Sequence, residues 1–167
     1  MKNEGRLYYS LVTEGIKKEG SAKQEDRNLR VRREFYDRFG NPVDLNALKQ
    51  NSLIVIKVTA ASSDDNLNYV AVSDLLPAGF EIENPRLQDN SQYKIIQNPS
   101  QPEYVDIRDD RINFYTSFRR NERLKTFYYL VRAVTKGEFV YPAVSAEAMY
   151  DGNYFSVTGR GVLKVVE

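Results

Sequence analysis

The sequence predicts an all-β fold, an antiparallel two-sheet β-sandwich of about eight or nine strands. Three observations lead there. Short runs rich in Val, Ile, Tyr and Phe recur at fairly regular spacing, and several alternate apolar with polar side chains, the period of a strand. Clusters of Gly, Pro, Asn and Asp separate them. No segment keeps a helical period for longer than a turn or two. Such a pattern suits a sandwich or a barrel. Long loops and prolines inside strand runs favour open sheets over a closed barrel. At 167 residues the chain is expected to form one domain, able to bury roughly two-thirds of its unfolded surface.

The elements follow in order. Arg6 to Val12 is a short aromatic strand run closed by Glu14-Gly15. Residues 15–27 are polar and charged and predict a flexible, solvated loop. From Leu29 to Tyr36 the side chains alternate, with Leu29, Val31, Arg33 and Phe35 on one face. Arg30, Arg32 and Arg33 are expected to form a solvated face rather than a nucleic-acid patch. Asp37 to Pro42 is a turn, and Asp44 to Gln50 fits one helical turn capped by Asp44. Leu53 to Ala60 is the most apolar strand, hence central, and Ser62 to Asn66 is a loop. Tyr69 to Leu76 is a strand ending in the Leu76-Pro77-Ala78-Gly79-Phe80 turn. Phe80 and Ile82 re-enter the core before Asn84-Pro85 breaks the run. Arg86 to Glu103 predicts a long connection with one short strand around Tyr93, Ile95 and Ile96. Ile112 to Phe118 is a strand, Arg119 to Arg123 a charged turn, and Thr126 to Thr135 a strand apolar on both faces, hence internal. Lys136-Gly137 is a two-residue hairpin signal. Glu138 to Asp151 begins as a strand, meets Pro142 at an edge or bend, resumes alternation at Val144, and ends in a Met149-Tyr150-Asp151-Gly152 corner. Tyr154 to Val157 and Gly159 to Val166 complete the strands.

Composition narrows the chemistry. Lys plus Arg is 24 against 23 for Asp plus Glu, a net charge of +1, which argues against nucleic-acid binding by bulk electrostatics. Cysteine and histidine are both absent. The residues therefore supply no thiolate nucleophile, no disulfide, no cysteine or histidine metal site and no histidine base. No cofactor is expected. No run of about 18 apolar residues marks a membrane span. Met1-Lys2-Asn3-Glu4 has no apolar stretch behind it, so it is not a secretory signal. The chain is either cytoplasmic or a piece of a longer exported protein.

Few constellations remain. The pairs Asp64-Asp65 and Asp109-Asp110 could offer oxygens to calcium, but neither has the alternating spacing of a calcium loop. Arg108-Asp109-Asp110-Arg111 fits a salt-linked turn, or an interface whose guanidinium forks bracket a neighbour's carboxylate. Met149 and Tyr150 stand at a strand end, where they either fill the core or face outward at the rim. Nothing indicates two carboxylates facing across a cleft. The residues alone give a binding or structural module, not an enzyme.

A family resemblance adds to this. Leu29 to Asp44 (LRVRREFYDRFGNPVD), Ser73 to Pro85 (SDLLPAGFEIENP), Arg108 to Arg111 (RDDR) and Phe127 to Asp151 (FYYLVRAVTKGEFVYPAVSAEAMYD) resemble, in order, the C-terminal macroglobulin-like domain of bacterial alpha-2-macroglobulins. That domain is related to the receptor-binding domain of the animal proteins. The resemblance implies a fragment of a much larger periplasmic or cell-envelope protease trap. In such a trap a protease cuts a bait region, a rearrangement follows, and a Cys-Gln thioester in a helical domain captures the attacker. This chain has no cysteine and cannot contain that thioester. The resemblance implies partners in the thioester domain and neighbouring macroglobulin domains, and indirectly the trapped protease. It also implies that Tyr150, with Met149 beside it, helps shield the thioester from water. The alternative is a free-standing immunoglobulin-like surface or adhesion module.

Overall fold

The computed structural model describes residues 8–14, 23–83 and 93–167. Among them are thirteen strands. These are β1 (Glu25–Arg27), β2 (Leu29–Tyr36), β3 (Leu48–Lys49), β4 (Leu53–Ser62), β5 (Leu67–Leu75), β6 (Phe80–Ile82) and β7 (Tyr104–Ile107). Then come β8 (Arg111–Phe118), β9 (Leu124–Ala133), β10 (Gly137–Tyr141), β11 (Val144–Ala148), β12 (Asp151–Val157) and β13 (Gly161–Val166). One sheet has the order β1-β12-β11-β5-β8-β7 and a second the order β2-β4-β9-β6. A small third sheet, β10-β13-β3, contributes Leu48, Leu163 and Val165 to the same core. All pairings are antiparallel except β13 with β3.

Alternation decides which face each strand buries. Ile54, Ile56, Val58 and Ala60 of β4 and Phe127, Tyr129, Val131 and Ala133 of β9 line one sheet's inner face. Val70 and Val72 of β5, Ile112 and Phe114 of β8, and Val144 and Ala146 of β11 oppose them. The Phe114 and Phe127 rings stack between the sheets, centroids 4.6 Å apart and 7° from parallel. β4 and β9 are internal, as their apolarity predicts. The outer face of β9 is covered too: Leu130 and Val55 pack under Tyr93, with Ile95 and Ile96 alongside.

Several sequence expectations are corrected. Residues 8–14 form no strand: Tyr8, Tyr9, Leu11 and Val12 are each more than three-quarters exposed. Strand propensity has little effect without an edge to pair with. Arg6 and Leu7 lie outside the described residues, as do residues 15–22 of the expected loop. That loop's last residues form β1 instead, a charged edge strand paired with β12. Asp44 does cap a turn, accepting the Asn46 backbone N–H at 2.9 Å, but no helix follows and the chain runs into β3. Residues 93–103 contain no strand, whereas β7 just after them does pair with β8. Asn84-Pro85 and residues 86–92 lie outside the described residues.

Lys136-Gly137 does not join a hairpin. Both edges of β9 are occupied, by β4 and β6, so β10 leaves that sheet and pairs with β13. The backbone N–H groups of Val134 and Thr135 donate to the Gly79 carbonyl as the chain turns away. Glu138 to Asp151 is accordingly two strands in two sheets, with Pro142 at the crossing. On β13, Gly161 lies directly across from Tyr141. A Cβ there would fall 2.1 Å from the Tyr141 ring, so only glycine lets that ring lie over the strand.

Arg33 is the largest departure. It is not on a solvated face: its side chain is 4% exposed and its partner Asp74 is fully buried. The Arg33 guanidinium pairs with Asp74 and donates to the carbonyl of Pro142 at 2.6 Å. It also lies 5.2 Å from the Phe35 ring centroid and 5.1 Å from that of Tyr141. The Tyr129 hydroxyl donates to the other Asp74 oxygen at 2.7 Å. This cluster bridges the two main sheets beside Pro142, where the chain crosses from the small third sheet into β11.

A second polar tie holds β1. Arg32 donates to both oxygens of Asp26, at 2.9 and 2.5 Å, and Ser156 donates to Asp26 at 2.7 Å. The Arg32 bonds hold the Asp26 carboxyl at about 2, below its ordinary 3.8, against the opposing effect of desolvation. A carboxyl depressed on folding stabilises above its ordinary range and loses that contribution as pH falls toward 2. Because Asp26 is partly open to solvent, the contribution is on the order of 1 kcal/mol. Asp26→Asn is expected to be less stable than wild type at pH 7, with the gap closing on acidification from about pH 5 to 2. Urea unfolding midpoints of both proteins across that range would reveal it. A gap independent of pH would discard the assignment.

Candidate docking rim

The corner that ends β11 is tighter than the sequence suggests. Ala148 pairs with Asp151, so Met149 and Tyr150 are the two loop residues and Asp151-Gly152 already belong to β12. Both side chains face outward, Met149 52% and Tyr150 81% exposed. Of the two sequence alternatives, core filler and rim residue, the geometry gives the rim. The corner is pinned from below. Asp151 accepts the Asn153 backbone N–H at 3.0 Å, and the Asn28 amide donates to the Asn153 carbonyl at 3.1 Å.

Tyr69, which sequence analysis placed only as the start of a strand, completes the rim. Its carbonyl accepts the Met149 N–H at 2.9 Å. Its ring meets Tyr150 edge-on, centroids 5.5 Å apart at 89°, and it is 60% exposed. The β5–β8 register shifts between Leu67 and Val70, and the β11–β12 register between Glu147 and Ala148. Two bulges therefore meet at this end of the sheet, the kind of irregularity that re-aims side chains. Tyr69 has φ 57°, a left-handed conformation that costs a non-glycine residue about 1–2 kcal/mol. Nothing in the residue string marks that backbone angle.

Around this aromatic centre the loops are tied by polar side-chain contacts. Asp64 accepts the Tyr154 hydroxyl and Asp65 pairs with Arg123. Arg119 donates to the Asn68 side chain at 2.5 Å. Hydrogen bonding to Asp64 raises the Tyr154 pKa above its usual value. The Asp64 and Asp65 carboxylates are thus already engaged by protein donors. Among the described residues no group of three or more acidic side chains gathers at metal-binding distance.

Arg108-Asp109-Asp110-Arg111 lies elsewhere. It is the tip of the β7–β8 hairpin, closed by Arg108 N–H to Arg111 carbonyl at 2.9 Å. Arg108 pairs with Asp106 at 3.0 Å and Arg111 with Asp110 at 2.7 Å, so the arginine forks are turned onto their own hairpin. Leu75 pairs with Arg111 while Val70 pairs with Thr116. Tyr69, near the start of β5, and Leu75, at its end, thus lie roughly 20 Å apart at 3.3 Å per residue. The two groups singled out from sequence stand at opposite ends of the sheet.

Fold and rim together define the class: a mainly antiparallel β-sandwich domain that exposes an aromatic corner. Residues 29–153 match the family model of the Bacterial Alpha-2-macroglobulin MG10 domain, and the chain belongs to that family. It is a non-catalytic domain type. The alpha-2-macroglobulin of Rickettsia conorii is 30% identical over 94% of this chain and 8% of its own length. The alpha-2-macroglobulin homolog of Yersinia pestis is 31% identical over 83% of this chain and 8% of its own length. Among solved structures, trypsin-activated Escherichia coli alpha-2-macroglobulin superposes with TM-score 0.79 at 25% identity. That match covers 87% of this chain and 11% of the other. A Salmonella alpha-2-macroglobulin carrying a tyrosine-to-glycine substitution gives TM-score 0.79 at 26% identity over 89% and 10%. The chain spans less than a tenth of the length of these two curated relatives.

Proposed function

We propose that this domain works within a protease trap by packing its Met149–Tyr150 corner against the thioester domain of the same polypeptide. It shields the reactive acyl group and moves away after bait cleavage. One observation carries the proposal: a large aromatic side chain, 81% exposed, stands on a hydrogen-bonded two-residue turn instead of in the core. An apolar cap excludes water from an electrophilic carbonyl, and a methionine adapts to an irregular neighbour. The relatives support the setting. Salmonella alpha-2-macroglobulin is known in a methylamine-reacted form and the E. coli protein in trypsin- and elastase-activated forms. By the same kinship the parent protein is assigned to the periplasm or cell envelope. The Arg108–Arg111 tip, at the far end, is assigned to a different macroglobulin neighbour.

In the full-length parent, Tyr150→Ala is expected to speed reaction of the thioester with methylamine by about tenfold or more, the scale of losing a central aromatic contact. Release of the cysteine thiol reports the rate. An unchanged rate in a parent that carries the thioester would reject the shielding role.

A further inference from the structure

We propose that Tyr69 is a positioning residue for the docking corner: its ring fixes the direction in which Tyr150 faces the neighbouring domain. The proposal rests on Met149–Tyr150 being that corner.

The backbone points to it first. Among the described residues, four non-glycine positions have positive φ: Asn28, Asn51, Tyr69 and Asn98. Three are asparagine, the residue type whose short amide tolerates the left-handed region. Tyrosine has no such compensation. Strained conformations of this kind persist where the surrounding structure imposes them, and they cluster at functional sites.

Packing does not account for the choice of residue. Tyr69 is 60% exposed and absent from the hydrophobic core, so the fold gains little from its ring. The Tyr69 carbonyl bond to Met149 needs only backbone, which glycine or asparagine would also provide. What the tyrosine adds is the perpendicular ring contact with Tyr150 at 5.5 Å. Tyr150 sits at the tip of a two-residue turn with most of its surface open. Without a lateral contact its ring would sample several rotamers and lose that freedom on docking, which weakens association. A ring held edge-on by Tyr69 is ordered beforehand. The strain in β5 is then the cost of a preoriented contact residue.

The test uses the full-length parent, following hydrogen exchange of peptides spanning 144–157 together with thermal midpoints. Four variants are compared: Tyr69→Asn, Tyr69→Phe, Tyr150→Ala and the double Tyr69→Asn/Tyr150→Ala. Tyr69→Asn keeps the backbone and removes the ring. It is expected to leave the thermal midpoint unchanged or raised while exchange at the corner speeds up about two- to tenfold, the range an aromatic pair supports. Tyr69→Phe should restore protection. The double variant should exchange no faster than Tyr150→Ala alone, because Tyr69 acts through Tyr150. If Tyr150→Ala itself leaves exchange unchanged, the docking corner is wrong and this proposal falls with it. If Tyr150→Ala deprotects the corner but Tyr69→Asn does not, only the positioning role is overturned. Additive effects in the double variant would overturn it as well, since Tyr69 would then be touching the neighbour independently.

Discussion

Asp74→Ala is expected to lower the unfolding free energy by about 3–5 kcal/mol, because it strands the Arg33 guanidinium in the core without a counter-charge. For a domain of this size that corresponds to a thermal midpoint lower by about 10 °C. Arg33 would keep its bond to the Pro142 carbonyl and its contacts with the Phe35 and Tyr141 rings. None of these carries a formal negative charge. The Tyr129 hydroxyl would lose its acceptor as well, and a buried unsatisfied donor costs about 1–3 kcal/mol. Burial pushes the Asp74 carboxyl above the usual carboxylate range, with Arg33 pulling the other way. The folded state therefore holds that proton more tightly than the unfolded chain. The group's own contribution is greatest at low pH and declines as pH rises through the raised value, opposite in sign to Asp26. The comparison that isolates the charge is a triple variant, Arg33→Met, Asp74→Leu and Tyr129→Phe. It removes both ions and the orphaned hydroxyl together and is expected to recover most of the lost stability. Denaturant unfolding of the three proteins decides the matter. A loss below about 1 kcal/mol for Asp74→Ala would mean that water reaches Arg33 and that the pair is not truly buried.

That pair also shows where a sequence becomes illegible. Alternation places Arg33 in phase with Leu29, Val31 and Phe35, and Asp74 in phase with Val70 and Val72. Each phase was visible, yet a charged residue is ordinarily solvated, and nothing local says that the two meet from different sheets 41 positions apart. The long strands β4, β8 and β9 were legible because their apolar period is set by the core they bury. The strands β1, β3 and β7 were not, because they are short edge strands defined by backbone pairing with a neighbour. The Met149–Tyr150 corner was legible as a turn, but the direction its side chains face was decided only by the structure. Its partner Tyr69 was hidden because a left-handed φ leaves no trace in residue type when the residue is not glycine or asparagine.

The second large effect is expected at Phe127, which joins the two sheets through its stack on Phe114. Phe127 is 2% exposed and Phe114 4%, so Phe127→Ala removes a ring with nothing nearby free to replace it. The loss should be about 3–5 kcal/mol. The site collapses poorly. Phe127 pairs with Val58 of β4; on the other side of β9 the Ser100 N–H donates to the Thr126 carbonyl at 2.8 Å and the Thr126 N–H donates to the Ser100 hydroxyl at 3.0 Å, so the backbone beneath the void is held on both sides. The opposing ring belongs to β8, itself held between β5 and β7. Phe127→Leu keeps most of the volume and should lose roughly 1–2 kcal/mol, mainly the shape mismatch of a branched chain in a flat slot. Comparing Phe114→Leu, Phe127→Leu and the double variant separates the stack from the burial. The coupling should be about 0.5–1.5 kcal/mol, the excess an aromatic pair contributes beyond its area. Urea unfolding midpoints at constant m-value would measure it. If Phe127→Ala lost less than about 1.5 kcal/mol, the two sheets would have to close over the gap. The rim, whose geometry depends on β5 and β11 keeping their places above that core, would then be softer than the ladders that hold it suggest.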